Sequence, residues 1–471
     1  MAGKNIISRR SFLKKGSCVT AGAMVFPYFV PASVFGKGGS VAPSNRIVMG
    51  CIGMGGQGTF DMKQFLQYDD AQVVAVCDVN KESGGYLGSA WGGWKQGIAG
   101  WAPAKRFVEE HYAKQKSSGG YKGCAAYTDF RELLARDDID AVLIATPDYW
   151  HSLMSVAAAE AGKDIYCEKP LAYSIAEGRA VCDAVERYGR IFQTGAQRRS
   201  SSKSRFACEL VRNGRIGKLQ TATVSLPAGY MINGPYKGIQ RPMPIPKDFD
   251  YDMWLGPSPW APYTEGRCLF NFRWIRDYTP GFITDWGAHS MDLAQWANGS
   301  DATGPVEIEG HGEFPKNGLY NTATSHYVEL TFADGVKFIS QTTTDVATGN
   351  DDDWGLRFEG TDGWFWAGAI GSARFGKTHS KSLLREVIGP DEINLYRSPG
   401  HHRNFLDSVK TRKETVSPAE VGQRTATVCH LGHIAILTGR KLKWDPAKEQ
   451  FINDAESNRL LSRPMRKPWH L

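Results

Sequence analysis

The chain has 471 residues, among them 52 Gly and nine Cys, with 56 basic and 49 acidic side chains and a formal charge of +7. Five of the positive charges and none of the acids precede Gly36, so setting that segment aside takes +7 down to +2. That balance gives no reason to expect nucleic acid or an acidic membrane as a partner. The cysteines show no paired or CxxC spacing, and the length suits two domains with large cores.

Residues 1–43 read as an export signal and linker. Ser8-Arg9-Arg10-Ser11-Phe12-Leu13-Lys14 is a twin-arginine signature, and a modestly apolar stretch runs from Gly16 to Phe35, broken by Gly22, Pro27 and Pro31. Such breaks suit a cleaved signal better than a membrane anchor. The expectation is a periplasmic protein that folds before export in a reducing compartment. No span is expected in the mature chain, and its thiols should be free and buried.

Residues 44–197 read as a dinucleotide-binding domain. The apolar run from Arg46 to Ile52 feeds into Gly53-x-Gly55-x-x-Gly58, with Met54, Gly56 and Gln57 inside the turn, and Thr59 to Tyr68 reads as a helix. One glycine permits the tight turn, the next lets backbone approach a pyrophosphate, and the third lets helix and strand pack closely. In a glycine-rich chain that pattern alone could be a plain turn. The following β run, Gln72 to Cys77, ends on Asp78, about twenty residues past the last glycine, where a carboxylate is needed to accept from ribose hydroxyls. A carboxylate there repels a 2′-phosphate, favouring NAD over NADP, a preference that Lys81 moderates.

Lys81 to Gly123 reads as an insertion carrying Trp91, Trp94 and Trp101, with a helix over Pro103 to Lys116. Alternation then resumes. Asp129 to Ala135 reads as a helix and Ala141 to Ala145 as a fully buried parallel strand ending in Thr146-Pro147-Asp148, with Trp150-His151 opening the next helix. Gly162 to Cys167 is a strand ending in Glu168-Lys169-Pro170, then Ser174 to Tyr188 a helix and Arg190 to Thr194 a strand. This spacing means a doubly wound parallel sheet, with ligands at the C-terminal strand ends.

The character changes in residues 198–471, read as a substrate and oligomerisation domain. Longer alternating strands appear at Gln220 to Leu226, Val306 to Glu309, His326 to Phe332, Val336 to Thr342 and Trp354 to Glu359, and helices return at Asn404 to Lys410 and Pro418 to Leu437. The pattern is a mostly antiparallel open sheet with helices on one face, α+β beside the α/β first half. Its other face needs cover, which a homo-oligomer, dimer or tetramer, would supply.

Gly53-x-Gly55-x-x-Gly58, Thr146-Pro147-Asp148-x-x-His151, Glu168-Lys169-Pro170 and Asp285-x-x-x-His289, in that order, resemble the glucose–fructose oxidoreductase and inositol dehydrogenase family (Gfo/Idh/MocA), over nearly the whole chain after Pro43. The twin-arginine segment, Trp254 to Pro257 and Trp444 to Pro446 resemble its exported branch. The resemblance implies NAD flanked by Thr146, Pro147, His151, Glu168 and Lys169, and a carbohydrate or polyol substrate; export to a compartment with no NAD pool implies that the cofactor is tightly held.

Lys169, at a strand's C-terminal end, stands where a nicotinamide ring would lie, and desolvation helps a lysine release the proton it must accept in turn from a hydroxyl. Asp285 and His289, spaced i, i+4, share one helical face and could share proton handling with it. Taken singly, the three are an exposed lysine, a capping acid and a core histidine. Arg198 and Arg199 follow the last strand of the first domain, and with Arg273, Trp274, Arg276 and Tyr278 are candidate sugar partners, surface charge and core packing being the alternatives. Asp351-Asp352-Asp353 reads as a solvated turn and His401-His402 as a helix start; neither has ligand spacing, so no metal is expected.

Three functions follow. An exported dehydrogenase would pass hydride from a secondary alcohol to a cofactor carried out with the protein. An NAD-dependent glycosidase would oxidise the sugar transiently, eliminate the leaving group and return the hydride; relatives of that type tend to lack the lysine, so Lys169 favours the first. A non-catalytic sugar-binding protein would be expected to have changed Lys169, Asp285 or His289.

Overall fold

The computed structural model describes residues 41–88, 95–228, 240–343, 355–367 and 378–471. The twin-arginine segment, Trp91, Trp94, Trp354 and Asp351-Asp352-Asp353 lie outside them. Met1–Arg46 and Ile47–Leu471 are separate units. In the first, a 3-10 turn spans Pro43–Asn45, and Arg46 Nε donates to the Val41 carbonyl at 3.1 Å.

In the second unit, β1 (Ile47–Ile52), α1 (Gly56–Phe65) and β2 (Ala71–Cys77) are followed by a hairpin, β3 (Ser83–Gly88) and β4 (Lys95–Ala99). Then come α2 (Trp101–Ala113), β5 (Ala125–Tyr127), α3 (Phe130–Leu134), β6 (Ala141–Ile144) and α4 (Asp148–Glu160). β7 (Asp164–Cys167), α5 (Ile175–Tyr188) and β8 (Phe192–Thr194) complete a six-stranded sheet in the order β5-β2-β1-β6-β7-β8. Every pairing in it is parallel. β6 and β7 are buried along their whole length, so they read as unbroken apolar runs. Local signals set the helix ends: the Ser174 hydroxyl accepts from Glu177 N–H to start α5, and left-handed Gly189 stops it.

After α6 (Ser202–Arg212) comes β9 (Leu219–Pro227), then α7 (Tyr251–Leu255), a 3-10 segment Leu269–Trp274 and α8 (Phe282–Asn298). The strands β10 (Glu307–Glu313), β11 (Ser325–Thr331), β12 (Lys337–Thr343), β13 (Gly355–Gly360) and β14 (Trp364–Trp366) follow. The chain ends with α9 (His401–Thr411), α10 (Ala419–Thr438), β15 (Leu442–Asp445), β16 (Gln450–Phe451) and α11 (Ala455–Arg459). The eight strands run β14-β13-β9-β12-β11-β10-β15-β16, antiparallel except for β9 beside β12. Ala222, Val224, Leu330 and Phe338 point inward and pack with Trp286 and Met291 of α8 and Leu431 and Ala435 of α10. The fold is the one expected: a parallel Rossmann sheet, then a mostly antiparallel sheet with helices on one face.

Two features go beyond the expectation. Lys81 to Gly123 contains the β3–β4 hairpin, whose Tyr86 ring lies 3.2 Å from where a Cβ on Gly55 would stand. α9 returns to the first sheet: His402 Nε2 meets Asp61 Oδ1 of α1 at 2.8 Å, and His401 meets the Thr194 carbonyl at 3.1 Å, so both histidines are structural. All eight cysteines after Gly36 are free and buried. Among the described residues no helix is long and apolar enough to cross a membrane, and no cluster of three or more His, Cys, Asp or Glu could hold a metal.

Candidate active site

Parallel strands all end at one edge, so the loops after β1, β2, β6 and β7 converge there. The turn after β1 is shaped by its glycines. Gly53 has φ +86°, and a Cβ there would come within 2.6 Å of the Ala145 backbone. A Cβ on Gly58 would sit 1.9 Å from the Gly53 carbonyl oxygen. Gly55 opens α1 without a side-chain cap, which leaves the N–H groups of the first turn available to an anion. After β2, Asp78 accepts from Met54 N–H at 2.7 Å and from Asn80 N–H at 2.8 Å, and burial pushes its carboxyl up to about 6 against those two bonds. Glycines that admit no side chain, an uncapped helix start and a partly buried carboxyl at the next strand end fit a dinucleotide.

The loops after β6 and β7 supply the charged end. Lys169 donates to the Asp285 carbonyl at 3.0 Å and also to Asp285 Oδ1. Arg273 Nε donates to Asp285 Oδ2 at 2.8 Å, with its guanidinium 4.3 Å and 4.6 Å from the Phe270 and Phe272 ring centres. Burial would raise the Asp285 pKa, but the Lys169 and Arg273 charges overcome it and hold the carboxyl below the usual range. His289 stands one turn along α8 with Nδ1 buried and without a hydrogen-bond partner among the described residues. Burial, reinforced by the Lys169 and Arg198 charges, keeps its imidazole neutral. Glu168 accepts from Gln197 Nε2 at 2.5 Å, and burial raises its pKa well above the usual range.

One cavity of about 1490 Å³, its open mouth included, joins the two ends. Gly53, Gly55, Gly56, Gln57, Asp78, Thr146, Pro147, Glu168, Lys169, Asp285 and His289 all line it. Three residues expected beside the cofactor do not. Met54 is a core side chain whose backbone N–H serves Asp78, and Gly58 packs on Gly53. His151 braces two loops, with Nδ1 2.6 Å from the Pro170 carbonyl and Nε2 2.9 Å from that of Thr146.

The sugar partners need more correction. Arg199 is sealed between Asp292 and Asp301 at 2.8 Å and 2.7 Å. Trp274 is a core residue, and Tyr278 is buried with its hydroxyl accepting from Arg267 at 3.0 Å. None of the three lines the cavity: Arg199 is taken up by its two acids, and Trp274 and Tyr278 pack in the apolar core. Arg198 lines a smaller cavity behind Lys169 and His289. The main cavity is walled also by Trp254, Phe270, Phe272 and Trp286, with Asp148 among its charged residues and Tyr86 beside the glycine turn. Asp148 stood inside a motif already noted; Tyr86 carried no signal, since its position depends on how the hairpin folds back.

Residues 47–196 match the family model described as the oxidoreductase family NAD-binding Rossmann fold, and 202–471 that of its C-terminal alpha/beta domain. An alpha-N-acetylgalactosaminidase of Shewanella oneidensis is 31% identical over 228 residues, 45% of this chain and 44% of the relative. A glycosyl hydrolase family 109 protein of Shewanella sp. strain ANA-3 is 30% identical over the same shares. The chain thus spans less than half the length of these curated relatives. Among solved structures, the WlbA dehydrogenase of Bordetella pertussis, in complex with NADH and UDP-GlcNAcA, superposes with TM-score 0.58 at 15% identity, covering 85% of this chain and 99% of that one. The aldose-aldose oxidoreductase of Caulobacter crescentus gives 0.57 at 17%, covering 84% and 99%. At such identities they show the fold alone. With both halves matched in order, the chain belongs to the Gfo/Idh/MocA oxidoreductase family.

Proposed function

We propose that this chain is an exported oxidoreductase that oxidises a secondary hydroxyl of a sugar, glycoside or polyol with tightly held NAD. The observation that carries the reading is the meeting of Lys169 with Asp285 in the cavity that also holds the glycine turn and Asp78. When bound, the dinucleotide supplies the hydride acceptor. The uncapped start of α1 offers N–H groups to a pyrophosphate, and Asp78 offers a carboxylate to ribose hydroxyls. That carboxylate disfavours a 2′-phosphate, and Lys81, paired with Asp248 at 3.6 Å, does little to offset it. Lys169 as the amine accepts the substrate's hydroxyl proton, and as the ammonium it returns that proton in reverse. Asp285 aims the lysine, and Arg273 holds Asp285. Neutral His289 offers a ring nitrogen to a hydroxyl, and the aromatic walls suit the apolar faces of a sugar.

The twin-arginine segment supports export to the periplasm, and folding before export supports a cofactor carried out with the protein. Outside the cytoplasm it must be reoxidised in place, by a second sugar, a keto product or an external acceptor. In the same reading residues 44–197 serve the nucleotide, 198–471 serve substrate and assembly, and the outer face of the eight-stranded sheet closes against a second copy.

A second reading, the redox-neutral NAD-dependent glycosidase, is favoured by the names of the curated relatives. A non-catalytic sugar binder ranks last, since Lys169, Asp285 and His289 share one cavity. Mass spectrometry of products from purified protein and a panel of aryl and alkyl glycosides, with no cofactor added, tests the choice. A glycoside lighter by two hydrogens supports the dehydrogenase, and a released aglycone with an unoxidised sugar supports the glycosidase. No change across the panel would count against both.

A further inference from the structure

Asp148 has no task in the mechanism above, yet it lines the same cavity as Lys169, Arg273 and Asp285. It opens α4 directly after Pro147 and is only 5% exposed. Its Oδ2 is buried with no hydrogen-bond partner among the described residues. The side chain does not cap its own helix, whose cap residue is Pro147. An unmet buried carboxyl oxygen is costly, and because the residue lines the cleft a ligand there can complete the bonding of its carboxyl.

Its surroundings decide which form it takes. The Thr279 hydroxyl, from the loop before α8, lies near enough to the carboxyl to favour its anion. Three charges reach it from other elements: Asp285 of α8, Arg273 of the 3-10 segment and Lys169 after β7. The two cations are already committed to Asp285, so a second anion beside that one is poorly compensated. Two carboxyls in one site are thereby pushed apart, one fixed as the anion and the other favoured as the acid.

We infer that Asp148 meets the bound carbohydrate as a neutral acid, its carboxyl O–H donating a hydrogen bond to an oxygen of the sugar, an assignment that rests on the carbohydrate reading above. Burial, aided by Asp285, pushes the Asp148 carboxyl up to about 7 against the pull of Thr279, Arg273 and Lys169. The N-terminus of α4 also favours the anion and works against burial. The donor is therefore present below neutrality and lost above it.

The test joins two readouts on the purified protein. Infrared difference spectra between about pH 6 and pH 8 should show the band of a neutral carboxylic acid, absent from Asp148→Asn, that shifts when the glycosides are added. KM for a glycoside that turns over should rise about tenfold above neutrality in the natural protein. It should stay flat with pH in Asp148→Asn, whose amide keeps a donor, and be raised at every pH in Asp148→Ala. No acid band assignable to Asp148 at about pH 6 would overturn the proposal whatever the enzyme does. A band with unchanged KM in Asp148→Ala would overturn the sugar contact. If no glycoside turns over, the functional reading fails separately, and a band that does not shift on their addition refutes the contact as well.

Discussion

Helix α8 carries two buried ion clusters built the same way, and only one of them opens to the cleft. Asp285 and Asp292 lie two turns apart, and each receives a cation from a loop that ends a strand of the parallel sheet. Around Asp285 stand Lys169 and Arg273, with side chains 14% and 21% exposed, at the wall of the main cavity. Around Asp292, Arg199 is 2% exposed, shared with Asp301 and lying 5.1 Å from the Trp296 ring centre. The first cluster has two cations to one anion and contains a lysine, which can release its proton. The second has one cation to two anions, and its arginine never titrates. A charge at a strand end is therefore not a functional residue by position alone; access and the chemistry of the cation decide.

Removing Arg199 should separate the two clusters most strongly. Arg199→Ala leaves Asp292 buried beside Asp301, which should cost about 3–5 kcal/mol of stability in denaturant titrations, while protein that remains folded keeps its dinucleotide. An unaltered midpoint would mean the sealed cluster is not structural. Gly58→Ala probes the other end of the cavity. Its methyl would press on the Gly53 carbonyl and should lower dinucleotide affinity by about 3 kcal/mol, read as cofactor content after gel filtration.

Asp148→Asn tests the second carboxyl without any substrate. Its folded pKa, about 7, lies above the ordinary value of an unfolded Asp, so the folded state holds the proton more tightly. That stability is complete below about pH 4 and is lost as pH rises through about 7. The Asn variant should then match the natural protein in acid and exceed it by about 1–3 kcal/mol near pH 8, checked by thermal melts across pH. The smallest effect belongs to Lys81→Ala, whose exposed pair with Asp248 should contribute under about 0.5 kcal/mol and leave the preference for NAD unchanged in competition binding.

What the chain declared in advance follows the same division. The glycine turn, Asp78, Lys169 and the Asp285–His289 spacing were legible because each is fixed by a local element: a strand end, a tight turn, one helical face. The parallel sheet, the mostly antiparallel sheet and the helices on one face of it were legible from period and run length. Arg199, Trp274 and Tyr278 were misjudged because their roles depend on which distant side chains surround them, and sequence spacing does not encode that. Tyr86 and the aromatic wall stayed hidden for the same reason. His151 kept its motif place but works through two carbonyls rather than through the cavity.

The central claim is that Lys169, aimed by Asp285, handles the proton while the cavity holds the dinucleotide. Lys169→Ala tests it most directly, by following the near-ultraviolet absorbance of the bound nicotinamide after a glycoside is added. The account predicts full cofactor content and reduction slowed by roughly 10²- to 10⁴-fold. Reduction at the natural rate in that variant would contradict it.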